Sequence, residues 1–278
     1  MRVVGLNIHP LKSASRIPVE RWPLEETGLR FDRRFMLVDP HGDFVTLRGT
    51  PRMVTIQPSL GAPPSPEAAV VWFAPAAASE SMAGLEVPLD HAEGEPLTVQ
   101  IWGEYLAARA ISTAADAWFS SYLGRPVRLV TLAREERRQV DLRYARPGDH
   151  TQFADGFPLL VATTASLAAL AAELGHMVAM ERFRPNVVIE TDEPFAEDGW
   201  RRIRVGAVEL ELVKPCARCV GVNVEPGTGL KSKEPLASLA RIRTFEGKVY
   251  FGQNAVHRGV GTLAVGDPVV VVESAEPR

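Results

Sequence analysis

In Val205-Gly206-Ala207-Val208-Glu209-Leu210-Glu211-Leu212-Val213-Lys214-Pro215-Cys216-Ala217-Arg218-Cys219, an alternating apolar run ends at Val213 and gives way to a segment holding both cysteines of the chain. Alternation with period two marks a strand with one buried face. Behind the cysteines, Val220-Gly221-Val222 leads into Asn223 to Gly229, which is rich in turn formers. The thiols are therefore expected just past a strand end, on a loop that presents them. Lys214 stands two residues before Cys216 and Arg218 two after it, an arrangement that favours a thiolate electrostatically.

A Cys-x-x-Cys spacing serves a redox disulfide, half of a zinc site, or a loop offering a metal ligand. Four-thiolate zinc is excluded, because the chain has two cysteines. A Cys2His2 site would need two of six histidines scattered singly at positions 9, 41, 91, 150, 176 and 257. A thioredoxin-type pair opens a helix, whereas these residues leave a strand toward a loop containing Pro226 and Gly227.

With 278 residues, 46% of them hydrophobic, the chain can build a large core, and two lobes are expected. Lys and Arg number 31 against 34 Asp and Glu, a net charge of -3 that gives no global case for nucleic-acid or membrane binding. Any anion site must be local. The first residues turn polar at Asn7-Ile8-His9, and no stretch approaches the ~20 apolar residues of a membrane span. A soluble, cytoplasmic protein is the expectation.

Working outward, strands are predicted at 3–8, 70–73, 97–102, 127–132, 159–162, 187–190 and 269–272. Asp39 to Asp43 reads as a hairpin turn with Phe44 to Leu47 as its second arm, and Arg48 to Ile56 continues the β pattern. Ala74 to Glu80 reads as an irregular or inserted loop. Thr113 to Gly124 predicts a helix with Thr113 as N-cap, and Thr163 or Thr164 caps another that ends at Gly175. A short helix is predicted near Leu236. The mostly β first lobe gives way to the second near residue 110. Lys12-Ser13 lies in a turn-compatible loop suited to an anion. Arg33 and Arg34 are adjacent at the start of a strand, so at most one faces a given pocket. Arg184 and Asn186, ahead of the strand at 187–190, can bind a phosphate through a planar charged fork and an amide. The arginine-rich segment 133–148 reads as a solvated surface.

Taken together, Pro10-Leu11-Lys12-Ser13, Asp32-Arg33-Arg34-Phe35, Phe183-Arg184-Pro185-Asn186, Pro215-Cys216-Ala217-Arg218-Cys219, Lys233-Glu234-Pro235-Leu236, Phe251-Gly252-Gln253 and Val265-Gly266-Asp267-Pro268 resemble the MOSC family. Their order and spacing resemble its two-part members, including the amidoxime-reducing components. The resemblance implies a mixed α/β fold of predominantly β character: an N-terminal β-barrel-like domain over 1–110, and a MOSC domain, a β-barrel with surrounding helices, over 111–275.

It further implies a molybdenum–molybdopterin cofactor, with Cys219 as the metal ligand and catalytic residue, a soft thiolate suited to such a centre. Lys12, Ser13, Arg34, Arg184 and Asn186 would hold the pterin phosphate region, with Ala217 and Arg218 lining the metal loop. Ala217 stands where the family has Ser, so it transfers only a backbone contact. Gly156 and Phe157 replace small polar residues that contact the cofactor, and Asn254 replaces an aromatic of some relatives. Cys216 is expected to pack as a small hydrophobe. The implied activity is two-electron reduction of small N-hydroxylated or N-oxide substrates. Electrons would come from a separate protein: a ferredoxin, a flavodoxin, or a cytochrome b5-like carrier with its reductase. Neither nucleic acid nor membrane is an expected partner. A non-catalytic cofactor carrier and a sulfur transferase working through a Cys219 persulfide are the alternatives.

Overall fold

The computed structural model describes residues 1–76, 82–90 and 94–274. Strands dominate, in four sheets with three α-helices, and among the described residues no sheet closes on itself. Of the expected irregular loop, Ala74 belongs to the strand Val70–Pro75, while residues 77–80 lie outside the described residues.

The largest sheet runs in the order Val269–Ser274, Trp200–Val205, Val208–Ala217, Lys248–Arg258, Leu159–Thr163, Val187–Glu190, Arg2–Ile8 and Ile17–Pro18. In the diagnostic segment, Val208, Leu210 and Leu212 are buried and Glu209 and Glu211 only half-buried, as alternation requires. The strand persists beyond Val213, pairing Lys214 with Asn254 and Ala217 with Tyr250 across two register shifts. Cys216 therefore lies within the strand. Cys219 alone reaches the loop, where it caps the short 3-10 helix Val220–Asn223.

The parallel pair in this sheet, Leu159–Thr163 beside Val187–Glu190, is joined through helix Thr164–Leu174. Such a crossover is what parallel pairing demands. Thr163 caps that helix and Gly175, at φ 75°, ends it in the left-handed region. Helix Thr113–Leu123 is capped by Ser112, one residue earlier than expected, through a 3.1 Å bond from the Ala115 N–H. The third helix spans Leu236–Arg243.

A second sheet packs Phe35–Val38, Arg128–Leu132, Glu104–Ala110 and Pro96–Ile101, all antiparallel. The expected second hairpin arm shrinks to single bridges at Asp43 and Phe44. The β pattern expected through Ile56 is interrupted by a 3-10 turn, Pro51–Thr55; Pro51 lacks an N–H for a ladder and suits the first helical position.

Early and late segments interleave. Arg2–Ile8 pairs with Val187–Glu190, and Arg21–Glu25 pairs with Gly261–Ala264. One core joins Val3, Leu6, Trp22, Phe35 and Phe119 to Val161, Ile203, Leu210 and Val269. Beneath helices Thr164–Leu174 and Leu236–Arg243, Phe183 stacks on Phe251 at 4.0 Å. That stack supports the chain just before Arg184.

Candidate functional site

Where the early loops meet the end of strand Val208–Ala217 there is a cavity of about 880 Å3, counting its open mouth. Cys219 is exposed at it, its Sγ 3.5 Å from the Gly221 N–H. Cys216 is half-buried on the same wall and does not pack as a small hydrophobe. Instead, its Sγ accepts a 2.9 Å bond from Arg218 Nη1. Arg218 also donates Nη2 to the Phe183 carbonyl at 2.9 Å, and its buried Nε has no partner. The cation between the cysteines is thus fastened to the first of them, not the second.

The facing wall comes from the loop after Arg2–Ile8. Lys12, 5% exposed, donates Nζ to the Phe153 carbonyl at 2.8 Å and to the Asp155 carboxylate. Burial lowers the Lys12 pKa, with Asp155 opposing. Burial also works to raise the Asp155 carboxyl, but Lys12, the Trp102 indole and Arg33 outweigh it and hold the group well below the usual carboxylate range. The Asp155 side chain itself opens to solvent at the cavity mouth. Arg138, from the segment read as solvated surface, is buried and bonds the carbonyls of Gln152 and Ala154, which fixes the backbone ahead of Asp155. Ser13, beside Lys12, takes a positive φ of 72°.

Arg184 follows the short 3-10 turn Met180–Phe183 in the left-handed region, φ 57°. Its Nη1 donates to the Ala14 carbonyl at 2.6 Å, while its buried Nη2 has no partner. Burial, then the neighbouring Arg33 charge, lowers its pKa to about 9. Arg33 is clamped by Asp32 at 2.6 and 2.8 Å and reaches Asn186 Oδ1 at 3.2 Å. Asn186, 1% exposed, accepts from the Leu160 N–H and donates to the Asn7 carbonyl, so its amide is spent on tying three strands together. Behind this cluster His9 is kept neutral by burial and then by Arg33 and Arg184, with Asp32 opposing. Among the described residues, Lys12, Arg33, Arg48, Arg182, Arg184 and Arg218 line the cavity against one carboxylate, Asp155. Paired buried donors left without acceptors in a cationic cavity suit an anionic ligand.

Of the expected site residues, Lys12, Ser13, Gly156, Phe157, Arg184, Asn186, Arg218, Cys219 and Asn254 all line this one cavity. Two do not. Arg34 turns to a separate cleft with Asp90 and Arg134, donating Nη2 to the Leu89 carbonyl at 3.1 Å. Arg33 takes the cavity place because, at φ 47°, it sits in a turn before the strand, so strand alternation does not govern which arginine points inward. Ala217 is exposed and absent from the cavity wall, because the strand runs through it and turns its methyl outward. A Cβ built on Gly156 would meet open space, and Phe157 packs edge-on against Tyr144 at 6.0 Å. Asn254 donates to the Lys214 carbonyl at 3.2 Å. Sequence reasoning missed Arg33, Arg48, Trp102, Asp155 and Arg182. The adjacent arginines, of which at most one was expected to face a pocket, and an acidic residue before Gly-Phe-Pro were the visible signals among them.

A family model described as the MOSC domain matches residues 148–270, and one described as the MOSC N-terminal beta barrel domain matches residues 1–126. The chain belongs to the MOSC family. It is similar to human mitochondrial amidoxime-reducing component 1, with 32% identity over 97% of this chain and 82% of that protein. The zebrafish protein of the same name is 30% identical over 96% of this chain and 83% of its own length. The zebrafish molybdenum cofactor sulfurase is 28% identical over 96% of this chain, which spans 34% of that longer MOSC protein. Among the described residues no helix is long and apolar enough to cross a membrane. Nor, among the described residues, do three or more His, Cys, Asp or Glu gather as a group that could hold a metal ion.

Proposed function

We propose that this MOSC protein is a molybdenum-cofactor-dependent oxidoreductase that reduces small N-hydroxylated or N-oxide compounds, with electrons delivered by a separate redox protein such as a ferredoxin, a flavodoxin or a cytochrome b5-like carrier. The observation that carries the reading is the meeting, in one cavity, of an exposed thiol with buried guanidinium N–H groups that lack acceptors. A metal held by Cys219 alone would need its other ligands from a bound organic group, and a phosphorylated, sulfur-bearing pterin supplies both the sulfur and the anion. Lys12, Ser13, Arg33 and Arg184 would hold its phosphate end. Arg218, with an unpartnered Nε, would face its ring system.

When bound, that group supplies the two-electron redox chemistry. The chain's own residues bind and orient. Asn186 and Asp32 set the Arg33 fork, the Phe183 carbonyl and Cys216 Sγ set Arg218, and Gly221 leaves room beside Cys219. Asp155, held ionised at the open mouth, is no proton donor at neutral pH, and solvent entering there would supply the protons that make water of the released oxygen. In this reading 1–110 supplies Lys12 and Arg33, and 111–275 supplies Arg184 and Cys219. The division is one of function, since the strand Arg2–Ile8 lies inside the larger sheet.

The test is metal analysis of protein made in a cofactor-competent host, coupled to reduction of an N-hydroxyamidine with an artificial electron donor. Molybdenum near stoichiometry with turnover supports the reading. Bound molybdenum without turnover of any N-hydroxylated compound would make the protein a carrier, and absence of molybdenum would overturn both. The exposure of Cys219 also favours a second reading, persulfide sulfur transfer, which mass spectrometry of the thiol after incubation with a cysteine desulfurase distinguishes.

A further inference from the structure

Trp102 and Gly103 are the two-residue link between the antiparallel strands Pro96–Ile101 and Glu104–Ala110, and both take positive φ, 53° and 88°. A link of this kind favours Asn-Gly, and a bulky aromatic at its first position is strained. Strain of that sort persists where the surroundings hold it, and it concentrates at ligand-binding places. Three neighbours hold the indole. Phe44 lies 5.0 Å away ring to ring, the Arg48 guanidinium sits 4.3 Å from its ring centroid, and its Nε1 donates to Asp155 Oδ1 at 3.3 Å. Even so, Trp102 remains 48% exposed on the cavity wall.

Arg48 is placed beside the thiol. A Cβ built on Gly221 would lie 3.6 Å from Arg48 Cγ and 3.5 Å from Cys219 Sγ. Its backbone is pinned by Lys231 Nζ, which donates to the Arg48 carbonyl at 3.1 Å. Among the described residues its guanidinium makes no hydrogen bond or ion pair, and the Trp102 ring is its contact. Among the described residues, Arg48 takes no part in the hydrogen bonds that fix Lys12, Arg33 and Arg184, the residues assigned to the phosphate.

We propose that Arg48 and Trp102 form a substrate-recognition pair beside Cys219 that selects planar N-hydroxylated substrates carrying a carboxylate. This rests on the reductase reading above. The indole offers a flat apolar face to a ring, and the guanidinium, pre-oriented by stacking, offers a two-pronged fork that matches a carboxylate. The reductase reading assigns neither residue to holding the cofactor.

The test compares N-hydroxybenzamidine with its 4-carboxylate derivative on the cofactor-loaded enzyme, by steady-state kinetics with an artificial donor and by calorimetric binding without donor. In Arg48→Met, KM and Kd for the carboxylate derivative rise about tenfold, the scale of one charge-assisted contact. The kcat and the values for the uncharged compound stay near wild type. Arg48→Lys, which keeps the charge and loses the fork, falls between. Trp102→Leu weakens both compounds. Equal changes for the two compounds in Arg48→Met, or no change, would overturn the pair while leaving the reductase reading intact. Arg48-dependent binding without turnover of either compound would uphold the pair and sink the reductase reading.

Discussion

Replacing Asp155 by Asn preserves the shape of the cavity mouth and removes the carboxylate that faces Lys12. The Lys12 ammonium would then keep the Phe153 carbonyl, at 2.8 Å, as its protein partner. Severing a buried ion pair costs about 3–5 kcal/mol and an exposed one about 0–1. Here the Lys12 side chain is 6% exposed and that of Asp155 77%, so the pair belongs between these limits. An intermediate loss of about 1–3 kcal/mol follows, or roughly 2–5 °C in the melting temperature of the cofactor-free protein.

The pH dependence carries a sign. Burial already lowers the Lys12 pKa and Asp155 opposes it, so without Asp155 the folded-state pKa falls further. The penalty exists while Lys12 is charged, so the variant's deficit is largest at about pH 6 and shrinks as pH rises through that folded pKa. On the acid side the Asp155 pKa is lowered, so the wild-type pair's contribution is complete above the ordinary carboxylate value of about 3.9 and is lost as pH falls through the lower folded value. Scanning calorimetry of the two proteins, with and without pyrophosphate, reads all of this. Pyrophosphate should raise the variant's melting temperature more than the wild type's, since the anion takes over the carboxylate's place. A variant that melts with the wild type at about pH 6, or one that gains nothing more from pyrophosphate, would refute the reasoning.

Cys219→Ala should abolish molybdenum retention and reductase activity, whereas Cys216→Ala, which frees Arg218 Nη1, should keep the metal with weaker cofactor affinity; metal content after dialysis separates the two. Glu197 is fully buried and accepts from the Thr163 and Ser166 hydroxyls, and burial raises its pKa against those bonds. Native protein therefore binds its proton more tightly than unfolded chain, stability declines as pH rises above the ordinary glutamate range, and Glu197→Gln should flatten that decline in urea midpoints. Gly252→Ala places a Cβ 2.7 Å from the Val161 carbonyl oxygen at φ 74°, next to the Phe251 stack, and should cost about 2–4 kcal/mol by denaturant unfolding.

Local pattern was enough to read the strands at 159–162 and 187–190, a cap at Thr163 or Thr164 and the stop at Gly175, because alternation, capping chemistry and left-handed glycine act over a few residues. The motifs spaced from Lys12 to Asn254 likewise named most of one cavity wall. Three-dimensional facts were hidden. Arg33 rather than Arg34 faces inward because the turn before the strand, and not the strand, sets the pair's directions. Asp155 and Trp102 matter through partners 143 and 53 residues away, separations that no local periodicity encodes. Cys216 passes as core by composition, yet its partner is a cation that the strand's extension to Ala217 brings alongside.

The strand Arg2–Ile8 has a consequence for how the protein is made. One edge pairs locally with Ile17–Pro18, but the other closes only when Val187–Glu190 has been synthesised, as in the contact between Arg2 and Glu190, 188 residues apart. Pairings this distant close late and fold slowly. Until they close, the loop bearing Lys12 and Ser13 has no wall to face Arg184 or Cys219. A nascent chain therefore offers no half-built cradle, and on the proposed function cofactor insertion would wait until the chain has reached Cys219.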